Sequence, residues 1–521
     1  MDINSIDFIM AISPIAWLFV AMLAFKVEGY KAGLGALILS SVLAATRWKM
    51  PVINISTAIL EGVLFTIWPI LIIIIAAVFT YRVITYTGAI DNIKHAISGV
   101  SNDKRILILL IGWCFGGFME GVAGFGTPIA IPAGMLWGMG LDPVLASIAC
   151  ILANISTTPF GAISILTLTL AEILGVDIEI LSFVTIIQMA IPMLLTPFFM
   201  ILIVCKGKLK SLKGVSHIAL ISGLASFLPQ FLVVKYIGAE LVAVIPPIIS
   251  LICTILAVKY LGPKETPKEY ELSNKDKDGT GKLSIVKVGD IILASLPFII
   301  IFILFIMTSK LFPNIHNMVS SVKSSLVVYT GDNPDTLNFF WINSPGVLIM
   351  ISAVIGGLAQ GAKLRELVTI FISTIKQIYK TILTFLAVVS TAKVISYSGM
   401  IGEISSVIVY VTGSSYPYIA PMLGVIGGFV TGSGTSTAIL FGTMQANAAN
   451  ILGVSTYSLA AANSVGSSIG KVISPQYIAT AASTTGLYGR ESEIFRGAMK
   501  WIVLYVIMAC VISGVTSSIL L

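Results

Sequence analysis

The sequence predicts an all-α polytopic membrane protein, with about twelve transmembrane helices and two re-entrant helical hairpins in two inverted repeats. The first observation behind this fold class is composition. Of the 521 residues, 57% are hydrophobic and 11% are charged, whereas soluble domains carry about 25% charged residues. The second observation is a series of long apolar runs, and the third is a match in sequence between the two halves of the chain. Together they exclude a cytosolic enzyme, a secreted domain, a disordered chain and most nucleic-acid-binding proteins.

The apolar runs are long enough for membrane spans, since a transmembrane helix needs about 20 apolar residues. They lie at 8–25, 32–48, 58–81, 106–139, 143–171, 180–205, 215–234, 238–261, 289–308, 343–361, 366–395, 417–447, 456–484 and 501–521. Two polar stretches interrupt the series. The stretch 262–288 is predicted to be a solvated linker with mixed charge, and 310–342 is predicted to be an interfacial loop.

Two of the runs, 106–139 and 417–447, have glycine-rich polar centres that would break a helix. Each run is long for one crossing and short for two. Non-helical backbone at membrane depth is tolerated only inside protein or beside a water-filled cavity. We therefore predict a re-entrant hairpin in each run, although the distribution of charge fits two full crossings equally well.

The two halves of the chain match each other at one constant offset. Residues 82–84 (RVI) correspond to 393–395 (KVI), and residues 116–118 and 427–429 both read GGF. Repeats of this kind are the usual build of secondary transporters. We predict an N-terminal repeat with hairpin 106–139, a pair of linking helices with a cytoplasmic linker, and a C-terminal repeat with hairpin 417–447. These three parts span 1–214, 215–288 and 289–521.

Lysine and arginine predict the orientation, because they are concentrated in the cytoplasmic loops of membrane proteins. Both chain ends fall outside. The lysine-rich segments 206–213 and 262–288 fall inside if the first hairpin leaves the membrane on the side where it entered. The first crossing then runs inward and its counterpart at 289–308 runs outward, so the repeats are inverted. The net charge of +7 therefore describes topology, and no nucleic-acid partner is expected.

The hairpin tips are the first candidate for a binding site. Half-helix N-termini at such breaks offer backbone N–H groups and a partial positive charge, which suit a carboxylate. Glycines that merely allow close helix packing are the alternative. The candidate residues are Gly124, Gly126 and Thr127 in the first tip, and Ser433, Gly434, Thr435 and Ser436 in the second.

The spans that follow the hairpins contain polar breaks, each ending at a proline. Hydroxyl groups beside a proline can restore lost backbone hydrogen bonds or face a ligand, so a simple proline kink is the competing interpretation. The occurrence of a break in both repeats favours a shared binding centre. The candidates are Ser156, Thr157 and Thr158 before Pro159, and Ser467 and Ser468 before Pro475.

Glu120 and Lys471 are the deepest charged residues, and charges inside a membrane are functional candidates by default. A carboxyl group removed from water takes up a proton more readily, so Glu120 is the predicted proton carrier. Lys471 is predicted to pair with a substrate carboxylate or with Glu120 itself. A static ion pair or a snorkelling lysine is the alternative. Glu61, Arg82 and Lys393 lie nearer span ends and are predicted to be interfacial.

Two short segments, 89–99 and 400–411, precede the hairpins in the two repeats. The first has isoleucines at three-four spacing, which is typical of an amphipathic helix in the membrane interface. We predict that such arms connect a moving hairpin domain to a fixed scaffold.

At its hairpins and broken spans the sequence resembles the L-lactate permease family. The stretches that carry the resemblance are 112–134 (GWCFGGFMEGVAGFGTPIAIPAG), 154–162 (NISTTPFGA), 427–445 (GGFVTGSGTSTAILFGTMQ) and 463–476 (NSVGSSIGKVISPQ). The resemblance implies uptake of L-lactate, and often of D-lactate and glycolate, by proton symport. It also implies kinship with the ion-transporter superfamily of inverted repeats with paired hairpins, some of which work as elevators.

We therefore expect a multi-pass transporter of the cytoplasmic membrane, which carries a small 2-hydroxymonocarboxylate together with protons. No cofactor, metal or enzymatic activity is expected, and five cysteines without CxxC spacing indicate neither zinc nor disulfides. The partners are the substrate, protons and the lipid bilayer, with a homodimer left open. A sodium-coupled carrier of another small organic anion is the alternative, while a membrane-embedded enzyme and a channel are disfavoured.

Overall fold

The chain folds as a mostly helical bundle of many apolar helices. The computed structural model describes residues 5–25, 27–89, 91–92, 100–122, 124, 126–263, 265–272, 288–308, 312–332, 334, 336–487 and 490–519. The predicted arm at 89–99 lies mostly outside the described residues.

The N-terminal half contains ten α-helices within the described residues. They are α1 (Ser5–Leu23), α2 (Gly29–Thr46), α3 (Val52–Phe65), α4 (Ile72–Tyr86), α5 (Lys104–Leu107), α6 (Gly116–Val122), α7 (Thr127–Gly138), α8 (Pro143–Thr157), α9 (Gly161–Leu174) and α10 (Ile178–Val204). Two π-helical segments, Thr66–Leu71 and Ile108–Phe115, join α3 to α4 and α5 to α6. Two further helices follow, α11 (Ser216–Tyr236) and α12 (Ile245–Leu261).

The C-terminal half continues the numbering. Its helices are α13 (Val288–Ala294), α14 (Leu296–Thr308), α15 (Pro313–Ser320), α16 (Pro345–Ala359), α17 (Leu364–Tyr397), α18 (Met400–Thr412), α19 (Tyr416–Thr431), α20 (Gly434–Leu452), α21 (Thr456–Val472), α22 (Pro475–Thr484) and α23 (Glu491–Ile519). From α16 onward the order of helices is similar to that from α2 to α10, with the single helix α17 where the first half has α3 and α4. Each half contains one pair of helices that meet at a break and one broken span.

Each hairpin consists of two helices that pack side by side and meet at a break. In the first, Gly116 of α6 lies against Pro128 and Pro132 of α7. In the second, Gly427 of α19 lies against Thr437 and Phe441 of α20. The missing side chains let the two arms approach closely. The second arm of the second hairpin continues to residue 452, beyond the predicted end at 447.

The broken spans explain how helix ends reach the middle of the bundle. The first span stops at α8, passes through a 3₁₀ turn (Thr158–Phe160) and restarts as α9. The second stops at α21 and restarts as α22 after Ser474, whose side chain caps the new helix by accepting from Tyr477 N–H. A proline begins α22, where its missing N–H costs nothing.

Among the described residues, eight continuous helical segments are long and apolar enough to cross a membrane, and three of them join two of the helices named above. The number is up to nine if the bent pair of α14 and α15 forms one span. Shorter apolar helices include α12 and α16. The protein is therefore a multi-pass helical membrane protein. Twelve crossings, re-entrant tips and inverted orientation remain predictions.

Two local expectations need correction. The loop at 310–342 is not purely irregular, because it holds α15 and an antiparallel pair of strands, β1 (Lys323–Val327) and β2 (Thr336–Phe340), so the fold is not entirely α. The described start of the linker 262–288 is not fully solvated either. Its Tyr270 is buried and stacks on the guanidinium of Arg105 at 4.0 Å.

Candidate functional site

A buried ion pair joins the N-terminal and C-terminal halves of the chain. Lys471 Nζ of α21 donates to Glu120 Oε1 of α6 at 2.8 Å, and their side chains are only 9% and 2% exposed. Asn154 of α8 donates its amide to the other carboxylate oxygen at 3.0 Å. Both oxygens of the buried carboxylate are therefore hydrogen-bonded, and its charge is balanced, as burial requires.

The break after Pro159 makes room for this carboxylate. A Cβ atom at Gly161 would overlap the Glu120 carboxylate, so the start of α9 can approach only because position 161 has no side chain. The next three residues, Ala162, Ile163 and Ser164, have φ values of 45°, 58° and 59°. This left-handed conformation is unfavourable for residues with a Cβ. Local strain of this kind is common where a backbone is held for function.

A chain of hydrogen bonds leads from the break to the ion pair. The Thr158 hydroxyl donates to the backbone carbonyl of Asn154 at 2.8 Å and lies 3.2 Å from its side-chain oxygen. Asn154 in turn donates to Glu120. A ligand at Thr158 is therefore linked to the carboxylate through one amide side chain.

The second hairpin tip presents the N-terminus of α20 to the same region. Ser433 caps the helix by accepting from Ser436 N–H at 3.2 Å, and the Thr431 hydroxyl accepts from Ser433 N–H at 3.1 Å. The helix α20 also packs against α9 of the N-terminal half. A helix N-terminus attracts anions through its N–H groups and its partial positive charge.

These parts line one cavity of about 350 Å³. Its polar and charged lining residues are Glu28, Tyr30, Glu120, Thr158, Lys380, Thr381, Thr384, Thr431, Ser433, Thr435, Ser436, Lys471, Gln476 and Tyr477. The ring of Tyr477 lies 4.9 Å from Lys471 Nζ, within cation–π range. The cavity thus joins a hydroxyl-rich wall, a helix N-terminus and an ion pair.

The structure brings together eight of the predicted site residues in this lining. They are Glu120, Gly124, Thr158, Ser433, Gly434, Thr435, Ser436 and Lys471. The other six do not line this cavity: Gly126, Thr127, Ser156, Thr157, Ser467 and Ser468.

Those six residues have other surroundings. Gly126 has φ of 89° and directly precedes α7, and the Thr127 hydroxyl donates to the Gly124 carbonyl at 2.7 Å. The Ser156 hydroxyl lies 3.2 Å from that of Thr196, and Thr157 lies beside it against Gly117. Ser467 and Ser468 both donate to the carbonyl of Ser464, one turn earlier.

Sequence reasoning missed Glu28, Lys380, Gln476 and Tyr477. Lys380 had a usable signal, because it is a charge within the apolar run 366–395 and such charges are functional candidates. Gln476 and Tyr477 directly follow Pro475 and so share its break. Glu28 lies between two runs and shows no comparable signal.

A second buried ion pair joins α3 to α17. Lys393 Nζ lies 2.7 Å from Glu61 Oε1, which also accepts from the Tyr397 hydroxyl at 2.8 Å. Glu61 is fully buried within the bundle, and its position near a span end stays a prediction. The sequence pattern around Glu61 does not reveal the pair, because Lys393 lies in the other half of the chain.

The described residues contain no group of three or more His, Cys, Asp or Glu that could hold a metal ion. A multi-pass bundle with a charged cavity between two helical hairpins defines the class of protein as a membrane transporter. The relatives of the chain then give its family.

The chain belongs to the L-lactate permease family, whose family model matches residues 7–520. An L-lactate permease of Streptococcus iniae is 38% identical over 87% of this chain and 93% of that protein. The glycolate permease GlcA of Escherichia coli K12 is 32% identical over 94% of this chain and 92% of its own length. The L-lactate permease of the same strain is 31% identical over 97% and 94%.

Among solved structures, the YdaH transporter of Alcanivorax borkumensis matches 83% of this chain and 87% of its own, with 13% identity and a TM-score of 0.34. This distant likeness adds nothing to the assignment. Family membership identifies the protein as a multi-pass transporter of the cell membrane and not an enzyme.

Proposed function

We propose that this permease takes up lactate and glycolate by proton symport, with Glu120 as the proton carrier and Lys471 as the counter-charge of the substrate. The names of its relatives support the substrate class. The observation that carries the mechanism is the 2.8 Å ion pair between Lys471 and Glu120 in the lining of the cavity. In this geometry the proton competes with Lys471 for Glu120, and the substrate carboxylate competes with Glu120 for Lys471, so each solute favours binding of the other.

In the empty carrier, Glu120 forms an ion pair with Lys471, and the pair is electrically neutral. A proton on Glu120 removes its negative charge and releases Lys471, which then binds the carboxylate of the substrate. Asn154 keeps its hydrogen bond to the carboxyl group and holds its orientation. The loaded carrier is again neutral, because one proton and one monocarboxylate enter together.

Charge balance then explains why the two solutes are coupled. A substrate bound without a proton would leave Glu120 and the substrate carboxylate facing one lysine, with one negative charge in excess. A net charge in the membrane interior is costly, so the partly loaded carrier does not complete the transport cycle. The proposed stoichiometry is one proton for each monocarboxylate.

The hydroxyl-rich wall of the cavity is the proposed recognition site for the 2-hydroxyl group of the substrate. Thr158, Ser433, Thr435 and Ser436 line the cavity with Lys471, and the N-terminus of α20 adds backbone N–H groups for the carboxylate. Gly124 and Gly434 let α9 pack closely against the tips, because a Cβ at these positions would meet Ala162 or Leu166. We assign Gly126, Thr127, Ser156, Thr157, Ser467 and Ser468 the supporting role of shaping the tips and breaks.

The same proposal includes twelve crossings, re-entrant hairpins and inverted repeats, with the three parts at 1–214, 215–288 and 289–521. The similar order of helices along the two halves of the chain supports the proposed repeats. Hairpins that move against a scaffold of α2, α3 and α17 would make the protein an elevator.

Purified protein in proteoliposomes tests the coupling directly. We expect an imposed inward proton gradient to drive accumulation of labelled lactate, and an inward sodium gradient alone to drive none. Accumulation driven by sodium at equal pH would instead support the sodium-coupled carrier. Glycolate should compete with labelled lactate, and pyruvate and acetate should compete less well. Equal competition by acetate would contradict a site that reads the 2-hydroxyl group.

A further inference from the structure

The cavity contains a second ion pair that transport chemistry at Glu120 does not use. Lys380 of α17 is paired with Glu28, which directly precedes α2. Lys380 and Lys471 are the only basic residues that line this cavity within the described part of the chain. Each lysine is therefore held by one carboxylate, in the manner that a substrate carboxylate would reproduce.

Exposure distinguishes the two pairs. The side chains of Lys380 and Glu28 are 50% and 44% exposed, against 9% and 2% for Lys471 and Glu120. Lys380 therefore lies at the mouth of the cavity, and Lys471 lies in its interior. Gly29 packs against Thr384, one turn beyond Lys380, so the mouth is level with the start of α2. By the distribution of lysine and arginine this is the cytoplasmic side.

Glu28 has a second partner, because Lys31 Nζ lies 3.5 Å from its other carboxylate oxygen. Lys380 can thus leave Glu28 without stranding an unpaired carboxylate. The hydrogen bond from Lys380 lowers the pKa of the Glu28 carboxyl group, so the pair is ionised at neutral pH. Lys380 is held in place and remains exchangeable, as an intermediate binding point requires.

We propose that Lys380 is a second, peripheral binding site for the substrate carboxylate at the cytoplasmic mouth, where it exchanges Glu28 for the anion and passes it between solvent and Lys471. The inference rests on the proposed transport of a monocarboxylate. Thr381 and Thr384 follow Lys380 along the cavity wall and continue the polar path inward. The mouth site speeds entry and exit, and the interior site sets the equilibrium affinity.

Ionic strength separates the two roles, since the Debye length falls from about 30 Å at 0.01 M to about 10 Å at 0.1 M. Steering by an exposed charge weakens over that range. The experiment measures exchange of labelled lactate in proteoliposomes of wild type, Lys380→Gln, Lys380→Arg and Lys376→Gln at both ionic strengths. Lys376 is exposed on the same helix, one turn earlier, and does not line the cavity.

We expect Lys380→Gln to slow exchange several-fold at low ionic strength and to lose most of the salt dependence. Lys380→Arg should restore the salt dependence, and Lys376→Gln should behave as wild type. Equilibrium binding of lactate, measured by calorimetry on detergent-solubilised protein, should change little in Lys380→Gln. Glu28→Gln should raise the exchange rate, because it removes the competing carboxylate.

Wild-type rate and salt dependence in Lys380→Gln would overturn the mouth site. Loss of equilibrium binding in that variant would also overturn it, since Lys380 would then belong to the interior site. Failure of the proposed function looks different: lactate exchange would be absent from wild type and from Lys376→Gln as well.

Discussion

At residue scale, the behaviour of the site depends on one carboxylate shared between an ammonium group and an amide. Glu120 accepts from Lys471 and Asn154 through different oxygens. A proton therefore changes the contact with Lys471 most, because a charged hydrogen bond is about twice as strong as a neutral one. Removal of either charge should have a different and recognisable effect.

Glu120→Gln removes the proposed proton-binding carboxylate and, on this proposal, frees Lys471 permanently. We expect this variant to lose proton-driven accumulation of lactate and to retain lactate–lactate exchange that no longer depends on pH. Glu403→Gln, at an exposed position on α18, is the matched control and should accumulate lactate as wild type does. Wild-type pH dependence in Glu120→Gln would disprove the assignment of the proton carrier.

Lys471→Met removes the proposed counter-charge of the substrate. Truncating one member of a buried charge pair costs about 2 kcal/mol or more, which corresponds to roughly a 30-fold loss of lactate affinity. The unpaired Glu120 should also lower the melting temperature. The double variant with Glu120→Gln should regain thermal stability but not lactate binding. Unchanged affinity in Lys471→Met would reduce Lys471 to a structural role.

At the scale of elements, the break in the span 143–174 places the backbone at Gly161 directly against the carboxylate of Glu120. The break works because α9 starts at a glycine, and Gly161 has an ordinary φ of −62° that any residue can adopt. The position therefore requires glycine because there is no space for a Cβ atom, and not because of its backbone conformation. This makes the position a clean test of the close approach.

Gly161→Ala should displace Glu120 from Lys471, because the added methyl group would occupy the space of the carboxylate. Overpacking of this kind costs about 1–3 kcal/mol. We expect lower thermal stability and a large loss of proton-driven uptake. Gly138→Ala is the control, since a Cβ there meets nothing within 4 Å. Equal uptake by the two variants would refute the tight contact at Gly161.

At the scale of the whole molecule, the proposed inverted repeats place the starts of equivalent helices on opposite sides of the membrane. The segment α3 to α4 and the helix α17 occupy equivalent places in the two halves, and both Val52 and Leu364 are exposed at their starts. Inversion requires Val52 to lie outside and Leu364 to lie inside.

Single cysteines at these positions test the inversion in a cysteine-free background. A membrane-impermeant thiol reagent should label Val52→Cys in intact cells and Leu364→Cys only in inside-out vesicles. Leu209→Cys, at an exposed position in the lysine-rich loop after α10 that is predicted to lie inside, should label as Leu364→Cys does. Labelling of both test positions from the same side would rule out inverted repeats.

The sequence singled out Glu120 and Lys471, because a charge in an apolar run is conspicuous wherever it occurs. It did not reveal that Glu61 pairs with Lys393, since the two residues lie in different halves of the chain. The hydroxyl candidates divide for a similar reason. Thr158 lines the cavity while its neighbours Ser156 and Thr157 face other helices, and the turn at the break decides which of them points inward.

By itself, the sequence determined the membrane class, the helix breaks within the runs 106–139 and 417–447, and the two charged candidates Glu120 and Lys471. These follow from composition and local pattern, which the bilayer constrains strongly. Only the tertiary structure decided that Glu120 meets Lys471, that Glu61 is buried, and that Lys380 shares their cavity. Each of these contacts joins distant parts of the chain, so it depends on how the two halves pack and not on the residues beside it in sequence.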